Sequence, residues 1–332
     1  MRALVTGAGG FLGRYIAEQL VARGDHVRSV ARGSYPELDD LGIESIQGDL
    51  RTRQTAVDAC QDMDVVFHAA GVAGIWGPWD YFYSINTVAT QNIVAGCRQH
   101  GVSKLVYTSS PSVTFDGSAQ VAVDESVPYP TRWLCHYPHS KALAEQHVLQ
   151  ANDSDGLLTC SLRPHLIWGP RDQHLIPRLL DRARIGRLRR VGDGTNLVDM
   201  VYVENAAAVH LQAADALHVG SPACGRAYFI SQGEPVNCWD WIDEILELAG
   251  LPPVRKSISF SAAWRVGRAM ELAYGALRIK EEPRMTRFLA AQLAKDHFFD
   301  ITRARKDLGY SPQISTAEGM KRLAEELSPA NP

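Results

Sequence analysis

TGAGGFLG, Thr6 to Gly13, lies between the apolar run Ala3–Thr6 and an amphipathic run from Phe11 to Arg23. It reads as a phosphate-cradling turn between a strand and a helix. Gly7 allows the tight turn, Gly10 lets a pyrophosphate approach the backbone, and Gly13 lets helix pack on strand. A helix opening at Phe11 and Leu12 aims unpaired N–H groups and its positive dipole end at that anion. Glycine turns at strand ends are common, so the rest of the chain has to decide whether this one holds a ligand.

Outward from that turn, apolar β-branched runs at Ala3–Thr6, His26–Ala31, Ile43–Gln47, Val65–Ala70, Lys104–Ser109 and Leu158–Leu162 alternate with helical patterns such as Phe11–Arg23 and Tyr81–His100. The alternation predicts an α/β fold with a doubly wound parallel (Rossmann) sheet, whose ligands sit at the carboxyl edge where strand order reverses. From about Pro170 the rhythm changes to an Arg-rich helix (His174–Arg184), short strands near Val198–Val203 and Ala227–Ser231, and helices up to Leu327. The expected division is a dinucleotide-binding domain, 1–170, and a smaller, mostly helical substrate lobe, 171–328, interleaved with late sheet strands. The tail Ser328–Pro332 is expected to be disordered.

Composition narrows the partners. A formal charge of −3 over 332 residues gives no general attraction to nucleic acid, so small molecules are the expected ligands. Six scattered cysteines, without CxxC pairs or zinc-type His spacing, read as reduced buried thiols, and no metal site is expected. The start MRALVTG lacks a signal-peptide pattern and no run is long enough to span a bilayer, so the expected location is cytoplasmic.

The proton chemistry points to Tyr137 and Lys141 in YPHSKALAEQHVL, four residues apart and so on one helical face. A phenol with an ordinary pKa of about 10 handles protons poorly near neutrality unless an ammonium stabilises its phenolate, and Lys141 is placed to do so. Ser110, at the end of LVYTSS, is the candidate hydroxyl to hold a carbonyl or carbinol oxygen at the same sheet edge.

Taken in order, TGAGGFLG, GDL (Gly48–Leu50), HAAG (His68–Gly71), Asn86 in INTVATQNIV, TSSPSV, YPHSK, LRPHLIWGP (Leu162–Pro170), VDMVYVENAA and ARKDLGYSP resemble the extended short-chain dehydrogenase/reductase family over nearly the whole chain. The resemblance implies that Gly7, Gly10 and Gly13 hold a pyrophosphate, that Asp49 and Leu50 approach adenine, and that Ala69, Ala70 and Gly71 line the cofactor along with Asn86. It implies Ser110, Tyr137 and Lys141 as the catalytic set, with Tyr137 and Lys141 also against the nicotinamide end, followed by Pro164, His165 and Ile167.

An acidic residue about 20 positions past the glycines marks NAD binders. Here the second strand ends in SVARGS, and Arg32 favours a 2′-phosphate, so NADP(H) is expected, with NAD(H) left open. Sugar-nucleotide members of the family resemble one another in an Arg-Asp-Phe segment whose arginine meets a diphosphate. This chain has Val198 and Met200 around Asp199. That variant resembles the 3β-hydroxysteroid dehydrogenase branch, and within it is most similar to bacterial 2-alkyl-3-oxoalkanoate reductases of long-chain olefin synthesis. The expected reaction is NADPH-dependent reduction of a 3-oxo group on a bulky hydrophobic substrate. A 3β-hydroxysteroid or sterol-4-carboxylate dehydrogenase, a sugar-nucleotide epimerase and a nonenzymatic NADP(H) sensor are the rivals.

Three stretches remain. Trp76, Trp79, Tyr81, Phe82 and Tyr83 follow a cofactor-lining strand where a substrate cleft is expected to open. An apolar stripe from Phe260 to Lys280 either packs on the lobe, covers a pocket or meets a membrane surface or partner enzyme. The run Arg178–Arg190 is a solvated face or a contact for an anion. His136, His139 and Cys135 flank Tyr137 without an evident role, and a homodimer through Tyr81–His100 and Tyr137–Gln150 stays open.

Overall fold

The computed structural model describes residues 1–327; the expectation for the tail from Ser328 falls outside the described residues. Seven strands, β1 (Arg2–Thr6), β2 (His26–Ala31), β3 (Glu44–Gln47), β4 (Val65–His68), β5 (Lys104–Thr108), β6 (Leu158–Pro164) and β7 (Arg226–Ile230), form one parallel sheet in the order β7-β6-β5-β4-β1-β2-β3. All of β4 and all of β6 are buried, as strands covered by helices on both faces must be. The edge strand β3, by contrast, shows Glu44, Ser45 and Gln47 to water. One face packs on helices Phe11–Ala22 and Val203–Ala216, the other on Arg53–Ala59, Ala89–His100 and His136–Gln150. Leu4 and Phe67 are wholly buried, each stabilising the fold by roughly 1.5–3 kcal/mol as an upper estimate.

The strand order reverses between β1 and β4, whose last residues Thr6 and His68 are register partners. Crossovers leave this pair in opposite directions, which opens a crevice at their carboxyl ends. β4 stops at His68, two residues earlier than the apolar run, and Ala69 and Ala70 turn into the crevice wall.

The region from Tyr81 to His100 is not one uniform helix. Helix Trp79–Phe82 widens to a π-helical turn over Tyr83–Val88 before Ala89–His100 continues as α-helix. The displaced carbonyl of Asn86 is taken up by the Thr90 hydroxyl at 2.6 Å. Such bulges are frequent at functional sites, and this one orients Asn86.

The lobe has a separate core around Trp168, Trp239, Trp241, Ile176 and Met320. Its strands are short. Leu197–Val198, Val236–Asn237 and His297–Phe299 form a small sheet with Gln120–Val123, a strand from the first half that the hydrophobic pattern did not announce. A clamp joins the lobe to the glycine-turn helix. Arg171, at φ +65°, reaches both Glu18 oxygens at 2.6 and 2.8 Å and lies 4.0 Å over the Tyr15 ring. The Tyr15 hydroxyl donates to the Pro170 carbonyl at 3.1 Å, and the Arg171 N–H donates to Glu326 at 2.7 Å.

Candidate active site

Gly7 turns the chain out of β1 at φ +77°, and a Cβ there would come 2.9 Å from the Ala70 backbone. At Gly13 a Cβ would lie 2.1 Å from the Gly7 carbonyl, so the helix meets the turn only because Gly13 lacks a side chain. Helix Phe11–Ala22 starts at Gly10 with no side chain capping it, leaving its first N–H groups free for an anion. Gly9 went unremarked in the sequence, yet a Cβ there would strike the Tyr35 ring at 2.3 Å. Tyr35 therefore lies flat against the turn.

These residues open a cavity of about 820 Å³ along the sheet edge. Its walls include Gly7, Gly10, Phe11, Leu12 and Gly13 at the turn, Arg32, Asp49 and Leu50 beyond β2 and β3, Ala69, Ala70 and Gly71 after β4, then Ser110, Tyr137, Lys141, Pro164 and Ile167. Glycines, free helix N–H groups and an arginine arranged in this way fit a dinucleotide, with the pyrophosphate on the turn and the nicotinamide toward Tyr137.

Two expected cofactor residues stand behind the wall rather than in it. Asn86 is buried, accepts the Val72 N–H at 2.8 Å and donates to the Val72 carbonyl and the Ser140 hydroxyl, each at 3.0 Å. It braces the Ala70–Val72 wall against helix His136–Gln150. His165 turns its ring into the lobe, where Nδ1 meets Asp199 at 2.7 Å and Nε2 meets His297 Nδ1 at 3.1 Å. His297 Nε2 donates to the Gln292 carbonyl at 2.7 Å. The chain of contacts ties the Pro164–Ile167 segment to residues far away in sequence.

At the adenosine end Arg32 is exposed and has no carboxylate within ion-pair distance among the described residues. Arg28 points elsewhere, donating to the Ala59 and Gln61 carbonyls. Arg51, a wall residue the sequence reading passed over, grips Asp49 at 2.5 Å and holds that carboxyl below its usual range. Asp49 therefore sits beside two guanidinium groups, its own partner and Arg32.

The proton-transfer end differs from expectation. Burial raises the Tyr137 phenol above its ordinary value, and the hydroxyls of Ser110 and Ser112 offset only part of that. Ser110 and Ser112 share a hydrogen bond of 2.8 Å. Ser112 is a second hydroxyl beside the phenol, recognisable afterwards as the i+2 partner of Ser110 in TSSPS. Lys141, instead of acidifying the phenol, donates to the Thr108 carbonyl at 2.5 Å and lies 4.2 Å over the Tyr107 ring. Burial pushes its pKa down to about 7, against the opposing pull of Glu145.

Among the neighbours, Phe82 is buried with its ring 6.5 Å from that of Tyr137. Trp76 meets Tyr274 edge-on, while Trp79 and Tyr83 stack together and Tyr81 faces solvent. His139 lies between Trp133 and Trp79, 5.1 and 4.7 Å away, and burial lowers its pKa. His136 is lowered in the same way. Burial pushes the Cys135 thiol up to about 12, which leaves it inert as a nucleophile. Val198 and Met200 are buried inside the lobe core.

Residues 4–261 match the model of the 3-beta hydroxysteroid dehydrogenase/isomerase family. The 2-alkyl-3-oxoalkanoate reductase of Shewanella oneidensis is 48% identical over 332 residues, covering 98% of this chain and 86% of that protein. The enzyme of the same name from Stenotrophomonas maltophilia is 47% identical, with 97% and 98% covered. Among solved structures, MoeE5 in complex with UDP-glucose and NAD superposes with a TM-score of 0.75 at 26% identity, 98% of each chain being covered.

Proposed function

The chain belongs to the 3-beta hydroxysteroid dehydrogenase/isomerase family of extended short-chain dehydrogenases/reductases, and from that premise we propose that it reduces the 3-oxo group of a 2-alkyl-3-oxoalkanoate with NADPH. It is an NAD(P)-dependent oxidoreductase acting on CH–OH groups. The observation that carries the finer reading is that Ser110, Tyr137, Lys141 and Arg32 wall one cavity with the glycine turn.

A nicotinamide cofactor, when bound here, would supply the hydride. Ser110, steadied by Ser112, orients the substrate oxygen, and Tyr137 gives it a proton. At neutral pH the buried phenol carries the proton that ketone reduction would draw on. Lys141, held on the Thr108 carbonyl, faces the same space and adds positive charge whenever it is protonated. Arg32 supplies the group that a 2′-phosphate would pair with. For the substrate, the support lies in the relatives' names and in Val198. A buried valine cannot meet a nucleotide diphosphate, so the arginine contact of sugar-nucleotide members is lost here.

The test is a panel of 2-alkyl-3-oxoalkanoates and 3β-hydroxysteroids with NADPH and NADH, followed at the reduced-nicotinamide absorbance band. Consumption of NADPH with the oxo acids is expected. Arg32→Ala should raise the KM for NADPH by roughly tenfold, the loss of one charge-assisted contact, and leave that for NADH unchanged. Steroid oxidation without oxo-acid reduction would reverse the substrate assignment, and equal changes for both nucleotides would remove the role of Arg32.

A further inference from the structure

Tyr35 follows Arg32 and Gly33 out of β2, and its neighbours fix where its ring lies. Pro36 disfavours helical backbone in the residue before it, and Tyr35 sits outside that region at φ −134° and ψ 82°. Its carbonyl accepts from the Leu38 N–H at 2.9 Å, and Leu38 is buried in the core that also holds the glycine-turn helix. Glu37 reaches Arg14 of that helix at 3.5 Å. The loop is thus pinned beside the turn, and the Tyr35 ring comes down on Gly9, where a Cβ would lie within 2.3 Å of it. Its hydroxyl end lies by Gly33, where a Cβ would be 3.3 Å from the oxygen. One ring therefore spans the glycine turn and the loop after β2.

Tyr35 is half-buried and lines the cavity with Arg32 and Gly33. Its hydroxyl has no hydrogen-bond partner among the described residues. Acceptors are scarce at this end. The carboxylate of this stretch of wall, Asp49, is taken up by Arg51, accepting from its Nε, its Nη2 and its backbone N–H. An NAD site needs a carboxylate ready to accept the ribose 2′-hydroxyl. This end offers two free donors in its place, the Arg32 guanidinium and the Tyr35 hydroxyl. That pairing suits a phosphate, because a hydrogen bond to an ionised acceptor is roughly twice as strong as one between neutral groups.

We propose that Tyr35 is a specificity-determining residue for the nucleotide, its hydroxyl donating to the 2′-phosphate of NADP(H) alongside Arg32. The inference rests on the NADPH reading and adds to it a second, uncharged donor. Gly9 belongs to the same device, since it makes room for the ring. The two donors differ in kind. Arg32 is exposed, so its attraction for a phosphate reaches over distance and is screened by salt, whereas a phenol acts only in contact and is hardly screened. Ionic strength therefore separates their contributions.

The experiment is isothermal titration of the full chain, without any ketone, with NADP⁺ and with NAD⁺, which differ only in the 2′-phosphate. The wild-type chain is expected to favour NADP⁺. Tyr35→Phe keeps the ring on Gly9 and removes only the hydroxyl, so it should weaken NADP⁺ about tenfold, the loss of one hydrogen bond to a charged group. NAD⁺ should change by no more than about twofold, which also shows that the variant is folded. The factor lost through Tyr35→Phe should be the same at low and high salt, while that lost through Arg32→Ala shrinks as salt rises. A Tyr35→Phe chain that favours NADP⁺ as strongly as wild type would overturn the role of Tyr35 and leave the NADPH reading standing. Equal losses for both nucleotides would overturn it too, since the hydroxyl would then act on the turn rather than on the phosphate. A wild-type chain that binds both nucleotides equally would bring down the NADPH reading and the role of Tyr35 together.

Discussion

Around the glycine turn, the cavity wall is built by neighbours in sequence. Gly7, Gly10 and Gly13 act within one turn and one helix start, and Tyr137 and Lys141 share one helical face. Where the sheet meets the capping lobe, the segment Pro164–Ile167 is held by His165 reaching Asp199 and His297, 34 and 132 residues away. The contrast teaches where function can be read from a chain. Local backbone geometry leaves a spacing behind in the sequence, whereas a network closed by the fold leaves only isolated polar residues.

The sharpest way to break this comparison is at the locally encoded end. Tyr137→Phe removes the proposed proton donor and leaves the glycine turn untouched, so kcat should fall roughly 10²–10⁴-fold with dinucleotide affinity preserved in a fluorescence titration. An unchanged kcat would mean that the legible motif is not the chemical one. The lobe is probed by Val198→Arg, which puts a charge into a core position 1% exposed. Urea unfolding should show a loss of about 3–5 kcal/mol, the scale for a buried charge left unpaired. A variant as stable as wild type that bound a sugar nucleotide would return Val198 to the substrate site.

A smaller effect is expected at Lys141, four residues along the helix from Tyr137. Burial takes Lys141 from the ordinary 10.5 to about 7, so between those values the unfolded chain holds more protons than the folded one. Folding stability therefore rises with pH across that window, and below about 7 the full penalty of a buried ammonium is present. Lys141→Met should raise Tm at pH 6 by a few degrees, roughly 2–4 °C per kcal/mol relieved. The gain should shrink as pH approaches 10, and calorimetry at three pH values checks it. A gain that grew with pH would contradict the buried-charge account.

Much of the sheet was legible because strands buried on both faces are written as apolar runs and crossovers as helical periods. Gln120–Val123 was not, since a strand that pairs with the lobe's small sheet has no local rhythm to mark it. The glycine turn, Ser110, Tyr137 and Lys141, singled out by spacing and resemblance, come together on one cavity wall. Tyr35 against Gly9, Arg51 on Asp49 and Ser112 beside Ser110 were missed, because each role depends on which neighbour the fold supplies. The relation between Lys141 and Tyr137 depends on burial, which spacing does not carry. Spacing places two side chains on one face, but burial decides their charges, and here it raised the phenol and lowered the amine.

The bridge from Arg171 to Glu18, Tyr15 and Glu326 fixes one rim of the cavity to the glycine-turn helix and the last helix at once. Across the opening, the stretch from Gly74 to Trp79 meets the capping helices through the Trp76 indole hydrogen bond, ring contacts and the packing of Ile75 in the cluster of Phe260 and Phe288. One jaw is bolted and the other is latched. Breaking the Arg171 bridge would therefore loosen the lobe from the glycine-turn helix without removing any side chain that lines the cavity.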